Sequence, residues 1–527
     1  MTTGAPGPGL ADVARTRPSA IAVVDGEVRL DYASLQDRVA RLAGVLLRLG
    51  VRMGDVVSWQ LPNWWEGLAV HHAVSAVGGI SNPLMPILRE RELAFVLRQS
   101  GARVLVVPER FRGFDHLGLA EALRQQVPTL EHVLVARPSD GHSADLTALM
   151  ATSTPMSLPE RPSRAPSDPA LLLYTSGTES VPKGALHSDA TLAAEVASIR
   201  DLYALGDGDV VFMPSPLAHI TGVLYGMLLP VLLGSGAVLQ DIWDPEVGLG
   251  LIERQRCTFQ VGATPFLQGL ARHPALSAYD VSSLRVFACG GADVAPALVD
   301  EAAQALGCCV VRTYGSTEMP TVTAGRPVDP PARRAATDGQ VIGDAEVRVV
   351  DDDGVRLPAG RVGLLEVRGP ELFLGYLDET LNAAAHTEDG WFRTGDLGVL
   401  DGDGYLTISG RAKDIIIRGG ENISAKEVED LLVQHDAVQE VAVVAMPDPA
   451  MGEKACAFVV CRDGAGPLHL ADLTAFLDER RIARQKLPER LEMIDALPRT
   501  ASGKVQKYKL RERITAVLEA EAANATG

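Results

Sequence analysis

The chain has 527 residues, of which 46% are apolar and 5% aromatic, with 51 glycines and 33 prolines, the composition of a loop-rich globular α/β enzyme and not of a disordered or fibrous protein. That length exceeds one ordinary core, so a large domain plus something smaller is expected. The net charge of −18 repels nucleic-acid phosphates and anionic lipid, and no arginine stripe with interleaved aromatics offsets it, so nucleic acid is excluded as a partner.

Taken in chain order, the segment from Met1 to Gly7 carries no basic stretch followed by an apolar core, and no later apolar run approaches the roughly 20 residues of a spanning helix. A cytoplasmic protein without a membrane span is expected. Leu35, Val39, Leu42, Leu46 and Leu49 step by four and three residues and stop at Gly50, which predicts an amphipathic helix ended by glycine. A strand over 55–60, a helix over 64–77 and a strand over 103–107 follow, and the rhythm returns around 205–240 and 257–288. The fold class expected is α/β, with layered, mainly parallel sheets in a large N-terminal domain. A Pro/Ser/Arg-rich stretch from Ser153 to Asp168 reads as an exposed connection.

The apolar run Leu171 to Tyr174 reads as a buried strand, and it opens into T-S-G-T-E-S-V-P-K-G, Thr175 to Gly184. Lys183 is the sole lysine in the first 410 residues of a chain that otherwise uses arginine. A compact ammonium in a loop of glycine and hydroxyl residues at a strand end suits phosphate oxygens, where a planar guanidinium is not equivalent. The loop is not a common P-loop, because proline precedes the lysine and glycine follows it.

Seven of the eight lysines lie beyond Gly410, where the patterns shorten: a helix near 425–435, strands around 441–445 and 455–461, and a helix near 471–482. This predicts a small α+β C-terminal module. The six cysteines, among them Cys308, Cys309, Cys456 and Cys461, lack CxxC spacing and read as small buried hydrophobes, with no disulfide or zinc.

Five segments carry the chemistry: T-S-G-T-E-S-V-P-K-G (175–184), Y-G-S-T-E (314–318), W-F-R-T-G-D-L (391–397), G-R-A-K-D (410–414) and P-R-T-A-S-G-K (498–504). Their order and spacing, from about residue 20 to 510, resemble the adenylate-forming superfamily of acyl-CoA synthetases, peptide-synthetase adenylation domains and beetle luciferases. The resemblance implies an AMP-binding domain over 1–409, a hinge at 410–414 with Lys413, and a small domain over 415–527 that rotates between two half-reactions. It implies ATP, Mg²⁺ and coenzyme A as cofactors and a small-molecule carboxylic acid as substrate. It leaves the oligomeric state, a homodimer included, open.

In the ATP site the resemblance places Thr175, Ser176, Gly177, Thr178 and Lys183 at the phosphates, Tyr314 against adenine, Thr317 at the α-phosphate and Glu318 on Mg²⁺. Gly315 belongs to the same turn, and Gly290, Gly291 and Ala292 let backbone approach the adenine edge. Asp396 suits the two ribose hydroxyls with Arg411 beside it. Lys504, counted with Thr178 and Glu318 as catalytic, bridges the acid and the α-phosphate as charge develops. Lys507 and Lys509 fit surface cations better. Gly419, Gly420 and Glu421 resemble the loop that lines the thiol arm of coenzyme A.

His219, Thr221, Gly222, Ala263 and Met319 fall at acyl-pocket positions; with Ala218 and Gly290 they are mostly small or apolar, which suits a medium-chain or alicyclic acid. The segments P-L-A-H-I-T-G and T-S-G-T-E-S are most similar to medium-chain and cyclohexanecarboxylate-type CoA ligases. One departure stands out: Glu179 and Ser180 replace the threonine and glycine usual in the family loop, and a carboxylate beside triphosphate is repulsive unless it faces solvent or Mg²⁺. The alternatives are a stand-alone adenylating enzyme for an amino or aryl acid, or a non-catalytic nucleotide-binding homologue. An amino-acid enzyme would carry an aspartate near His219, and a hydroxybenzoate enzyme an asparagine after it, whereas Ile220 stands there.

Overall fold

The structure is a computed structural model that describes residues 9–139, 144–156, 164–175, 182–291, 294–418, 421–449, 451–462, 464–465, 467–500 and 504–526. Its contacts cluster into two compact units. The first runs to Glu346 and takes in Arg368–His386; the second combines Val347–Val367 with the chain from Thr387 onward. Lysine usage changes near Gly410, but the strand over 363–368 pairs with that over 392–400, which in turn pairs with Leu406–Arg411, so contacts divide the chain differently from composition.

Two large sheets build the first unit. In the nine-stranded sheet six strands run parallel, in the order Cys309–Tyr314, Val286–Gly290, Phe259–Gly262, Val210–Met213, Gly236–Leu239 and Ile21–Asp25, with antiparallel strands at both edges. The seven-stranded sheet is parallel from Pro169–Thr175 through Ile80–Pro83, Val56–Trp59 and Val104–Pro108 to His132–Ala136. Its other edge is antiparallel, formed by Lys183–Ser188 and Gly375–Tyr376.

Alternation along the strands distributes side chains between layers. Val23 and Val211 enter the largest apolar cluster, shared by both sheets and by the helices Tyr32–Arg48 and Trp65–Ala76, while their neighbours Val24 and Phe212 face the helices Pro245–Gln255, Thr264–Ala271 and Pro296–Leu306. These elements carry the layered α/β class expected from the sequence, and the predicted helix with its stop at Gly50 is Tyr32–Arg48. In the described residues of the stretch from Ser153 to Asp168, Thr154, Pro155 and 165–168 are exposed, as its reading as an exposed connection expects, while Ser153 and Arg164 are buried exceptions. Arg164 is buried, paired with Asp189 at 2.8 Å and bonded to the Gly79 carbonyl, because a guanidinium can satisfy several partners at once.

In the second unit, strand Gly452–Cys461 divides two small cores: Ala455, Ala457 and Val459 face the helices Ala425–Leu432 and Leu470–Glu479, and Cys456, Phe458 and Val460 face the helix starting at Lys507. The six cysteines are free, and Cys257, Cys289, Cys308 and Cys456 are buried. None of the described helices is long and apolar enough to cross a membrane.

Candidate active site

Four neighbouring parallel strands of the nine-stranded sheet, Val210–Met213, Phe259–Gly262, Val286–Gly290 and Cys309–Tyr314, release their chains at the same edge. The segments that follow them carry His219, Ala263, Gly291 and Gly315. Sequence positions some 100 residues apart are thereby gathered at the carboxyl ends of adjacent strands, where open α/β sheets bind ligands.

The turn after Tyr314 is tightly specified. A Cβ at Gly315 would lie 1.9 Å from the Pro320 carbonyl oxygen, so only glycine fits. The Ser316 hydroxyl accepts from the N–H groups of Glu318 (3.2 Å) and Met319 (3.3 Å), and the Ser316 N–H donates to the Met319 carbonyl. The Tyr376 hydroxyl donates to Glu318 Oε1 at 2.8 Å. His187 Nε2 donates to the Thr317 carbonyl at 2.7 Å; burial pushes this imidazole down to about 4, so it is neutral, with Nδ1 facing the Thr191 hydroxyl. Tyr376 and His187 were not found by sequence reasoning. Their signals, a Gly-Tyr pair at a sheet edge and a histidine four residues after Lys183, gain meaning only through strand pairing.

Lys183 and Thr175 face each other at the base of an antiparallel pair, and Thr175 Oγ1 donates to the Lys183 carbonyl at 3.4 Å. The Lys183 ammonium lies 5.8 Å from the centroid of the Tyr376 ring. Ser176, Gly177 and Thr178 lie outside the described residues, as do Ala292, Gly419 and Gly420. At Gly290 a Cβ would meet the Thr313 hydroxyl at 2.2 Å and its carbonyl oxygen at 2.5 Å, and Gly291 has φ +74°. Glycine is required at 290, and a side chain at 291 would be strained.

His219 Nδ1 accepts from the Thr221 N–H (3.3 Å) and sits 3.1 Å from the Thr221 hydroxyl. Ala218 and Met319 are buried, and Ala263 caps the helix Thr264–Ala271. The space a Cβ would fill at Gly222 is occupied by the Pro216 carbonyl oxygen, 2.1 Å away, so this glycine serves a backbone crossing and opens no volume.

In the second unit Asp396 and Arg411 are register partners on antiparallel strands, with Arg411 Nε 2.9 Å from Asp396 Oδ1. Asp396 is buried and the Thr394 hydroxyl, which accepts from its N–H, anchors the strand by donating to the Leu365 carbonyl. Lys413 sits in a single 3₁₀ turn, Ala412–Asp414, whose Asp414 is paired with Arg511 at 2.8 Å. Lys504 is tied to Thr500: its N–H donates to the Thr500 hydroxyl at 3.1 Å and its carbonyl accepts from the Thr500 N–H at 2.7 Å. Lys507 pairs with Glu429 of the helix Ala425–Leu432 at 2.7 Å, and Lys509 lies by the Tyr508 ring. Strand Ile415–Arg418 pairs antiparallel with Glu421–Ser424, and Arg418 opposes Glu421.

No group of three or more His, Cys, Asp or Glu side chains among the described residues could hold a metal by itself. A single carboxylate such as Glu318 fits Mg²⁺, which keeps waters and takes substrate phosphates as its other ligands.

Two family models match the chain: AMP-binding enzyme over residues 10–377 and AMP-binding enzyme C-terminal domain over 427–504. A medium-chain fatty-acid–CoA ligase of Escherichia coli (strain K12) is 39% identical over 503 residues, covering 95% of this chain and 89% of the relative. The 2-hydroxy-7-methoxy-5-methyl-1-naphthoate–CoA ligase of Streptomyces carzinostaticus is 36% identical over 528 residues, covering 95% and 92%. Among solved structures, ATP-bound MatB from Rhodopseudomonas palustris superposes with a TM-score of 0.87 at 28% identity, covering 96% of this chain and 99% of that one. The chain belongs to the AMP-binding enzyme family and has its two-domain, adenylate-forming fold. It is an acid–thiol ligase whose cofactors are ATP, Mg²⁺ and coenzyme A.

Proposed function

We propose that the protein activates a medium-chain or alicyclic carboxylic acid with ATP, releasing pyrophosphate, and then transfers the acyl group from AMP to the thiol of coenzyme A. The observation that carries this reading is the Tyr314–Glu318 turn at the end of a parallel strand, locked by His187 and Tyr376. In this reading Tyr314 stacks on adenine, Thr317 bonds the α-phosphate, and Glu318 holds the cation, which when bound neutralises phosphate charge. The backbone at Gly290, Gly291 and Ala292 lines the adenine edge. Thr175 to Thr178 and Lys183 hold the outer phosphates.

Asp396 accepts from the ribose hydroxyls while Arg411 fixes its carboxylate, and Lys504 steadies the acid and α-phosphate as pyrophosphate leaves. The domain division at 1–409 and 415–527, with rotation about Lys413, brings Gly419, Gly420 and Glu421 to the thiol arm in the second half-reaction. Catalysis is positioning and charge neutralisation, with no covalent enzyme intermediate.

The acid class is supported by the uncharged side chains of Ala218, Thr221, Ala263 and Met319 and by the likeness to a medium-chain relative, with each buried methylene contributing on the order of 0.8 kcal/mol. The test is specificity constants over acetate, hexanoate, octanoate, cyclohexanecarboxylate, benzoate and an amino acid. Hexanoate, octanoate or cyclohexanecarboxylate should lead, and a lead by acetate, benzoate or the amino acid would overturn the acid class while leaving the ligase intact.

A further inference from the structure

Glu195 lies midway along the helix Asp189–Leu202 and is fully buried, which is costly for a carboxyl group without partners. Its partners are specific. Oε1 accepts from the Tyr225 hydroxyl at 2.6 Å, Oε2 accepts from the Thr321 N–H at 3.1 Å, and the hydroxyls of Tyr225 and Thr321 lie 2.8 Å apart. Tyr225 and Thr321 are themselves buried, so the network is closed to solvent.

The two partners come from different parts of the site. Tyr225 is the central residue of the π-helix Gly222–Leu228, which continues directly from the His219–Thr221 segment. That winding is rare and occurs mostly at functional sites. Thr321 is the third residue after Glu318, at the far end of the turn that starts with Tyr314. The near end of the same turn is held by His187 on the Thr317 carbonyl, and His187 closes the strand Lys183–Ser188 that leads into the helix of Glu195. One strand-and-helix unit therefore grips the cation-binding turn at residues 317 and 321, and through Tyr225 also grips the helix behind the acid-binding segment.

We propose that Glu195 is a positioning residue that sets the spacing between the acyl-pocket helix and the Glu318 turn, and thereby the alignment of the acid with the α-phosphate. The proposal rests on the roles given above to the His219 segment and the Glu318 turn. Two features separate it from a simple structural role. Alignment matters in adenylate formation and not in thioester formation from a finished adenylate. Moving the acyl-pocket helix against the turn also changes how acids of different shape are ranked.

The test uses the full chain and the substitutions Glu195→Gln and Tyr225→Phe, with ATP–pyrophosphate exchange over the acid panel, thioester formation from supplied acyl-adenylate, and thermal melting. Glu195→Gln keeps the shape but places an amide nitrogen against a donor, and Tyr225→Phe removes one hydroxyl. Both should keep a cooperative melt and lower the exchange kcat by about tenfold, as expected for a lost buried bond to a carboxylate. The ratio of kcat/KM between octanoate and cyclohexanecarboxylate should shift severalfold, with the thioester half-reaction unchanged. Wild-type kcat and wild-type ranking in Tyr225→Phe would overturn the proposal even if Glu195→Gln fails to fold, and so would equal loss in both half-reactions. If the wild type prefers aryl acids, the acid class falls and the ranking is scored among those acids, so the two failures stay distinct.

Discussion

The Tyr376 hydroxyl donates to the Glu318 carboxylate across 2.8 Å, from a two-residue strand that pairs with the strand beginning at Lys183. Residues 183, 318 and 376 thus form one polar group: an ammonium over an aromatic ring whose hydroxyl orients a carboxylate. Tyr376 fixes Glu318 Oε1, and no described residue bonds Oε2, which leaves that oxygen suited to a hydrated divalent cation.

Removing the hydroxyl should loosen Glu318 without emptying the site. Tyr376→Phe is expected to raise the Mg²⁺ concentration needed for half-maximal pyrophosphate release and to lower kcat by about tenfold, the scale of one bond to a charged acceptor. A magnesium titration of the pyrophosphate rate checks it; a curve matching the wild type would detach Tyr376 from the cation.

Gly315 offers a steric test of the same turn. An added methyl would overlap the Pro320 carbonyl at 1.9 Å, so Gly315→Ala must displace the backbone that carries Thr317 and Glu318. The expected result is a loss of adenylate formation of at least about a hundredfold, roughly 2.7 kcal/mol, with the melting of the second unit unaffected. ATP–pyrophosphate exchange and calorimetry together read it.

Legibility in the sequence followed the range of the interactions. The amphipathic helix at Tyr32–Arg48 and the buried strand at Pro169–Thr175 are local periodic patterns, so composition and spacing located them. The Tyr314–Glu318 turn and the strand segment Thr394–Asp396 were legible as compact motifs. Glu195, His187 and Tyr376 were not, because their partners Thr321, Thr317 and Glu318 are 126, 130 and 58 residues away and meet them only through sheet pairing and helix packing. Gly222 misled for the opposite reason: a small residue suggests open space, yet the Pro216 backbone fills it.

Acid should destabilise the first unit through His187. Burial lowers its folded-state pKa from 6.5 to about 4, so between those values the unfolded chain binds a proton that the folded chain does not. This contribution is fully present above about pH 6.5 and is lost as pH falls toward 4, up to roughly 3 kcal/mol. Glu195 acts in the opposite sense, since burial raises it to about 7 and its stabilising contribution fades as pH rises through that value. His187→Gln should therefore show a smaller drop in melting temperature between pH 7 and pH 5 than the wild type; an equal drop would mean that His187 is protonated in the fold.

The proposed mechanism gives Lys504 a role in one half-reaction only. Lys504→Ala should abolish acyl-adenylate formation and spare thioester formation from supplied acyl-adenylate. Comparable loss in both would remove it from the adenylation step.

In the proposed reaction an acid is first activated on AMP and only then passed to a thiol. Rapid-quench measurement of pyrophosphate, acyl-adenylate and acyl-CoA with octanoate, with and without coenzyme A, tests it most directly. The expected result without coenzyme A is a burst of pyrophosphate matched by enzyme-bound acyl-adenylate; adding coenzyme A should convert that adenylate to acyl-CoA and AMP and restore steady turnover. Acyl-CoA formed with no acyl-adenylate before it, or pyrophosphate release that needs no acid, would contradict the claim.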